Sequence, residues 1–150
     1  MKIKIKRIDK ELPLPQYQTP GAVAFDLCSR IDTEIGPQEI KPVPGNVIIE
    51  VPEGYVFMTT PRSSLSKKKG LIFPNSVGVF DQDFCGPEDE VMIILYNINK
   101  EPCQIKRGER LAQGIIVKID KAEWDEVEEM EQPTRGGIGS TEGYDAWQEN

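Results

Sequence analysis

The segment GNVIIEVPEGYVFMTTPRS, residues 45–63, carries the clearest structural signal in the chain. Two runs rich in β-branched and aromatic residues flank Pro52-Glu53-Gly54, and such runs bounded by turn residues read as strands. The spacing predicts a hairpin turned at Pro52–Gly54. Outward from it the same grammar repeats. KIKIKRI (Lys2–Ile8) alternates apolar and cationic residues, as a strand with one wet face does. VMIILY (Val91–Tyr96) is continuously apolar, which suits a strand buried on both sides. Ala22–Cys28, Gly78–Asp81, Glu90–Ile98 and Arg110–Ile119 are further short runs, punctuated by 13 Gly and 12 Pro spread along the chain. Many short strands with turns between them predict an antiparallel β-sandwich or barrel. Helix signals are few. Ser63–Lys69 is expected to form one or two turns capped by Ser63 or Ser64. Ala122–Glu131 has helix-forming composition.

Length and charge narrow the function. The chain has 150 residues, the size of one domain, with 38% hydrophobic and 29% charged residues. Eighteen Lys and Arg stand against 25 Asp and Glu, a net charge of -7. That balance argues against binding a nucleic-acid backbone or an anionic membrane. Histidine is absent, which removes His-based nucleophile activation and His-ligated zinc. A general base must then be a carboxylate, Lys, Tyr or thiolate. Cys28, Cys85 and Cys103 form no CxxC pair, so an intracellular, cytoplasmic setting is the simple expectation. No run is long and apolar enough for a signal peptide or membrane span.

Four segments place polar residues beside apolar runs. Asp26 stands alone in AFDL. In PRSSL, Arg62 offers a fork for a phosphate, and Ser63 and Ser64 offer hydroxyls. The following Lys67-Lys68-Lys69 is a solvated corner or a steering patch for anions. GVFDQDFCG (residues 78–86) holds Asp81 and Asp83 two positions apart, between glycines. It reads either as an acidic surface turn or as a tight hairpin with one carboxylate as base. An exposed backbone edge there would read the Watson–Crick face of a pyrimidine. GERLAQ carries Gln113, a solvent-facing strand residue or a phosphate contact. Residues 133–150 are rich in Gly, Ser and Thr. They read as a frayed end or as a segment that closes over an anion.

AFDL, PRSSL, GVFDQDFCG, GERLAQ and RGGIGST occur in this order from Ala24 to Thr141. The ordered set resembles the trimeric dUTP pyrophosphatase (dUTPase) family, over nearly the whole chain. The resemblance implies an all-β, jelly-roll-like fold (a β-clip) with at most one short helix. It divides the chain into a β domain, residues 1–132, and a flexible C-terminal lid, residues 133–150. It also implies a homotrimer with shared active sites, and turns Ala122–Glu131 into an extended arm crossing a neighbour. The implied reaction is hydrolysis of dUTP to dUMP and pyrophosphate with Mg²⁺ on the triphosphate. Asp81 would be the general base, and Asp26 would organise water around the metal. Gly78, Val79, Asp83 and Phe84 would belong to the hairpin that holds uracil and deoxyribose. Arg62 would bind phosphate or hold a nearby acid. Ser63, Ser64 and Gln113 would meet the phosphates. In the last motif, Ile138 would cover the base and Gly139 would belong to the substrate-binding segment, while Arg135, Ser140 and Thr141 would clamp the outer phosphates.

The chain departs from the family pattern at several positions. Phe84 replaces a usual Tyr, Ser64 a usual Gly, and Ile138 an aromatic that stacks on uracil. RGGIGST is also short between its Arg and the covering residue, and Pro87-Glu88-Asp89 is a small insertion. Two other readings fit the residues: a dCTP deaminase of the same fold, and a nucleotide-binding or regulatory homologue without turnover.

Overall fold

The computed structural model describes residues 1–137. Eleven strands and one helix of five residues make up the described fold, an all-β, jelly-roll-like architecture of antiparallel sheets. In chain order these are β1 (Lys4–Arg7), β2 (Phe25–Cys28), β3 (Thr33–Ile35), β4 (Ile40–Pro44), β5 (Val47–Glu50) and β6 (Tyr55–Pro61). Then come α1 (Leu65–Lys69), β7 (Leu71–Ile72), β8 (Gly78–Phe80), β9 (Met92–Asn97), β10 (Cys103–Ile105) and β11 (Arg110–Lys118). The largest sheet has the order β2-β11-β6-β8, and a second runs β4-β9-β7. Two strand pairs, β1-β5 and β10-β3, complete the set.

The strands of residues 45–63 are there, but they do not form a hairpin. β5 pairs with β1, Lys4 opposite Glu50 and Arg7 opposite Val47. β6 pairs with β11 and β8 in the large sheet. Pro52–Gly54, with Gly54 at φ +76°, turns the chain from one sheet to the other, as corners of sandwiches do. The choice follows burial. Val47, Ile48 and Ile49 are all buried, while β6 buries alternate residues and finds in the nine-residue β11 a partner long enough to pair along its whole length.

β9 also differs from expectation. Ile93 and Leu95 are buried, whereas Met92 and Ile94 on the opposite face are exposed. An apolar run therefore marks one covered face here, not two. Ala122–Glu131 forms neither helix nor strand, and its side chains are exposed, Trp124 at 93%. The absence of a helix agrees with the extended reading and overrides local propensity.

The core packs Leu27, Ile35, Val43, Phe57, Ile93 and Leu95 between the sheets. A ladder of rings crosses the large sheet on this side. Phe25 stacks on Phe57 with centroids 5.9 Å apart, Phe57 meets Phe80 at 5.0 Å, and Phe80 meets Phe84 at 5.8 Å. Gly114 pairs with Phe25 on one side and Thr59 on the other. A Cβ there would lie 2.4 Å from Phe25 Cε2 and 2.7 Å from Phe57 Cε2. Rings held in a packed core cannot retreat cheaply, so Gly114→Ala should cost about 1–3 kcal/mol. Urea unfolding should show a lower midpoint at unchanged slope; an unmoved midpoint would mean that the rings are not fixed there.

Candidate active site

Directly opposed residues in a sheet project to the same face. Gln113 of β11 opposes Asp26 of β2 and Thr60 of β6, so these three share the face turned away from the ring ladder. Arg110 would face the other way by simple alternation from Gln113, since they are three positions apart. A bulge between Arg110 and Ala112 changes the phase. Arg110 now opposes Cys28, two residues from Asp26, and joins the same face. This is the usual effect of an extra strand residue: it re-aims a side chain.

The consequence is a buried carboxylate between two guanidinium groups. The Asp26 side chain is 4% exposed. Arg110 Nη1 donates to its Oδ2 at 2.9 Å. Arg62 Nε lies 3.0 Å from Oδ1, yet among the described residues Oδ1 has no hydrogen-bond donor, because the Nε–H is not directed at it. The contact is an ion pair without a hydrogen bond. A carboxylate this deep requires such neutralisation. Of the two roles expected for Arg62, holding a nearby acid is the one seen. Arg110, not among the expected site residues, is the second holder. The signal was an acid flanked by Phe25 and Leu27, which needs a cation; the bulge that supplies it leaves no mark in composition.

Ser64 occupies the N-cap of α1 at φ -94°, ψ -3°, without the expected side-chain capping bond. Ser63 is exposed. The hydroxyl of Ser64 is thus not spent on the helix. Gln113 is half-buried, next to Asp26. The lysine run divides. Lys69 Nζ binds Gln104 O at 2.7 Å and Glu109 Oε1 at 2.7 Å, so it anchors α1, while Lys67 and Lys68 stay exposed.

Asp81 and Asp83 lie at the far edge of the same sheet. Among the described residues β8 is an edge strand bonded only to β6, which leaves the backbone edge expected of it. Gly78 lets it approach: a Cβ would sit 2.3 Å from Thr59 Oγ1. The expected hairpin does not close. After Phe80 the chain curls through a turn, Phe84 N donating to Asp81 O at 3.3 Å and Cys85 N to Asp83 O at 3.0 Å. These local bonds replace a return strand, and Pro87 just beyond has no N–H to pair. Asp81, Asp83 and Phe84 are exposed, and Val79 is 64% exposed. Asp81 lines a cavity of about 400 Å³ with Tyr55, Phe80, Gln82, Ile119 and Lys121.

The register sets the distance between the two clusters. Gly78 opposes Thr59 and Phe80 opposes Phe57, so Asp81 falls level with Val56, four residues along β6 from Thr60. At about 3.3 Å per residue and 4.8 Å per strand, Asp81 and Asp26 are roughly 20 Å apart. One chain does not bring them together. Arg135 is exposed; Ile138, Gly139, Ser140 and Thr141 lie outside the described residues.

Fold and site define a jelly-roll-like β protein with a carboxylate–arginine face and a separate acidic turn. Comparisons give the family. A dUTPase family model matches residues 10–142. A deoxyuridine 5'-triphosphate nucleotidohydrolase of Dictyoglomus turgidum is 41% identical over 147 residues, covering 94% of this chain and 98% of that one. The crystal structure of dUTPase from Streptococcus mutans superposes with TM-score 0.74 at 29% identity, over 80% of this chain and 98% of that one. The Staphylococcus bacteriophage 80alpha dUTPase with dUpNHpp gives TM-score 0.82 at 26% identity, over 93% and 98%. The chain belongs to the dUTPase family.

Proposed function

We propose that this protein hydrolyses dUTP to dUMP and pyrophosphate, with Asp81 as the general base. The observation that carries the reading is the exposed carboxylate of Asp81 on the turn of an edge strand, beside a cavity, in a chain that matches dUTPases over residues 10–142. Uracil is read by the backbone of Gly78, Val79, Asp83 and Phe84, which leaves no room for a thymine methyl. Phe84, backed by Phe80, packs under the deoxyribose; its missing phenol oxygen does not alter that contact. Asp81 takes a proton from water, and the water oxygen attacks the α-phosphorus. Pyrophosphate departs as the bond to its bridging oxygen breaks. Such chemistry asks little of the base and much of positioning and charge neutralisation.

Ser63, Ser64 and Gln113 donate hydrogen bonds to the phosphates, joined by Ser140 and Thr141 from the C-terminal segment, where Arg135 adds the positive charge. Ile138 and Gly139 cover the base there by dispersion rather than stacking. Mg²⁺, when bound to the triphosphate, neutralises developing charge on the phosphates. Among the described residues no cluster of three acids forms a metal cage, which fits a cation held mainly by substrate oxygens and water. Asp26 fits an outer role, its Oδ1 an acceptor without a donor. Direct ligation fits less well, because Arg62 and Arg110 already neutralise it.

The separation of Asp81 from Asp26 and Gln113 supports a homotrimer in which one active site draws on several chains. Residues 133–150 act as its lid, and the three free thiols fit a cytoplasmic setting. The test is a pyrophosphate-release assay over dUTP, dTTP, UTP and dCTP. Release from dUTP alone is expected. Ammonia from dCTP would make it a deaminase, and tight dUTP binding without release would make it a binding module.

Truncation before Pro133 tests the lid. Residues 120–137 are almost wholly exposed, so the fold should keep its melting temperature within a few degrees. Turnover should fall about 10²-fold, as loss of a closing segment allows. Cooperative collapse of the truncated protein would contradict the lid.

A further inference from the structure

Edge strand β8 has three residues and one partner, yet the turn it feeds must hold Asp81 to within a fraction of an ångström. Backbone pairing alone is a weak fixture for that turn. Gln82 supplies a stronger one. Its Nε2 donates to Tyr55 O at 3.0 Å and to Pro52 O at 3.4 Å. Its Oε1 accepts from Lys121 Nζ at 3.1 Å. Both ends of one carboxamide are therefore engaged, and Gln82 is half-buried while its neighbours Asp81 and Asp83 are exposed.

The anchor is itself well held. Pro52–Tyr55 is the corner between β5 and β6, closed by Tyr55 N to Pro52 O at 3.2 Å. Ile119 N donates to Gly54 O at 2.9 Å. Three carbonyls of one corner thus receive the acidic turn and the chain leaving β11. Lys121 stands where that chain departs toward the C-terminal segment.

We infer that Gln82 is a positioning residue for Asp81, and that Lys121 acts on the same turn through Gln82. The inference rests on the reading of Asp81 as the base. Pinning position 82 inward leaves the flanking carboxylates outward, on the side that substrate must approach. A displacement of about 1 Å at a reacting group can cost 10²-fold in rate, so losing the clamp should be felt in kcat.

A double-mutant cycle tests it. Gln82→Met keeps length and removes both sets of hydrogen bonds; Lys121→Met removes one. Gln82→Met should lower kcat for dUTP about tenfold, with a melting temperature within about 2 °C of the parent. Lys121→Met should lower kcat by a smaller factor. The double variant should equal Gln82→Met alone, because the hydrogen bond that ties Lys121 to the turn among the described residues is the one to Gln82. Multiplying effects, an unchanged kcat in Gln82→Met, or a kcat loss that only tracks lost stability would each overturn the inference. Asp81→Asn assayed alongside separates the two ideas. If Asp81→Asn turns over at the parent rate, the base reading falls. If it is inactive while Gln82→Met is fully active, only the clamp falls.

Discussion

Replacing Asp81 with Asn should lower dUTP turnover by at least ~10³-fold, the scale of a general base in a positioned site. Asn keeps the shape and loses the basic oxygen pair. The change should leave the fold untouched, because Asp81 is exposed and surface substitutions away from special features stay within about 0.5 kcal/mol. Binding of a non-hydrolysable dUTP analogue should change little. Recognition is assigned to the backbone of the turn and to phosphate contacts elsewhere, neither of which the amide disturbs. Calorimetric titration with the analogue and a pyrophosphate assay, on one preparation, decide the matter. Equal loss of binding and turnover would make Asp81 a structural residue, and retention of a tenth of the parent rate would exclude it as the base.

Complementation between two dead variants is the second large effect. The register keeps Asp81 roughly 20 Å from Asp26 within one chain. A site using both the acidic turn and the Asp26 face therefore takes them from different chains. Asp81→Asn damages one half, and a variant carrying Arg62→Ala and Gln113→Ala damages the other. Each variant alone should be nearly inactive. Co-refolded at equal amounts, random mixing gives about a quarter of the sites an intact half from each of two chains. Activity should therefore rise from near zero to about a quarter of the parent value. No rise in a verified mixed assembly would place both halves in one chain and remove the argument for shared sites.

Several features of the fold were legible because they are local. KIKIKRI forms a strand over Lys4–Arg7 as its alternation predicts, although its apolar Ile5 is 38% exposed rather than covered, and Ser63–Lys69 has the composition of the short helix found at Leu65–Lys69. Asp81 and Asp83 emerged from a glycine-bounded segment, and they stand exposed on a turn as that pattern allows. What sequence could not supply was partner choice. Whether β6 pairs with β5 or β11 depends on strand lengths and burial summed over distant segments, so Pro52–Gly54 looked like a hairpin turn and is a corner. VMIILY looked doubly buried, since an apolar side chain does not state whether a second layer covers it. Nothing local in the sequence marks Arg110, for a related reason. Its partner Asp26 is 84 residues away, and only a phase change in β11 makes them neighbours.

That phase change has a bearing on how the protein tolerates insertion and deletion. The connector Lys106–Glu109 preceding β11 is a surface turn, held by Gly108 N to Ser29 O at 2.7 Å and by Arg107 to Asp9 at 2.7 Å, so a change in its length costs those contacts. One step further the edit reaches the core. Deleting Leu111, the extra residue, would leave Arg110 two positions from Gln113 and still beside Asp26, but it would remove a fully buried side chain from the interior. Variation in length among relatives should therefore be scarcer from Arg110 onward, where the surplus residue is itself part of the packing.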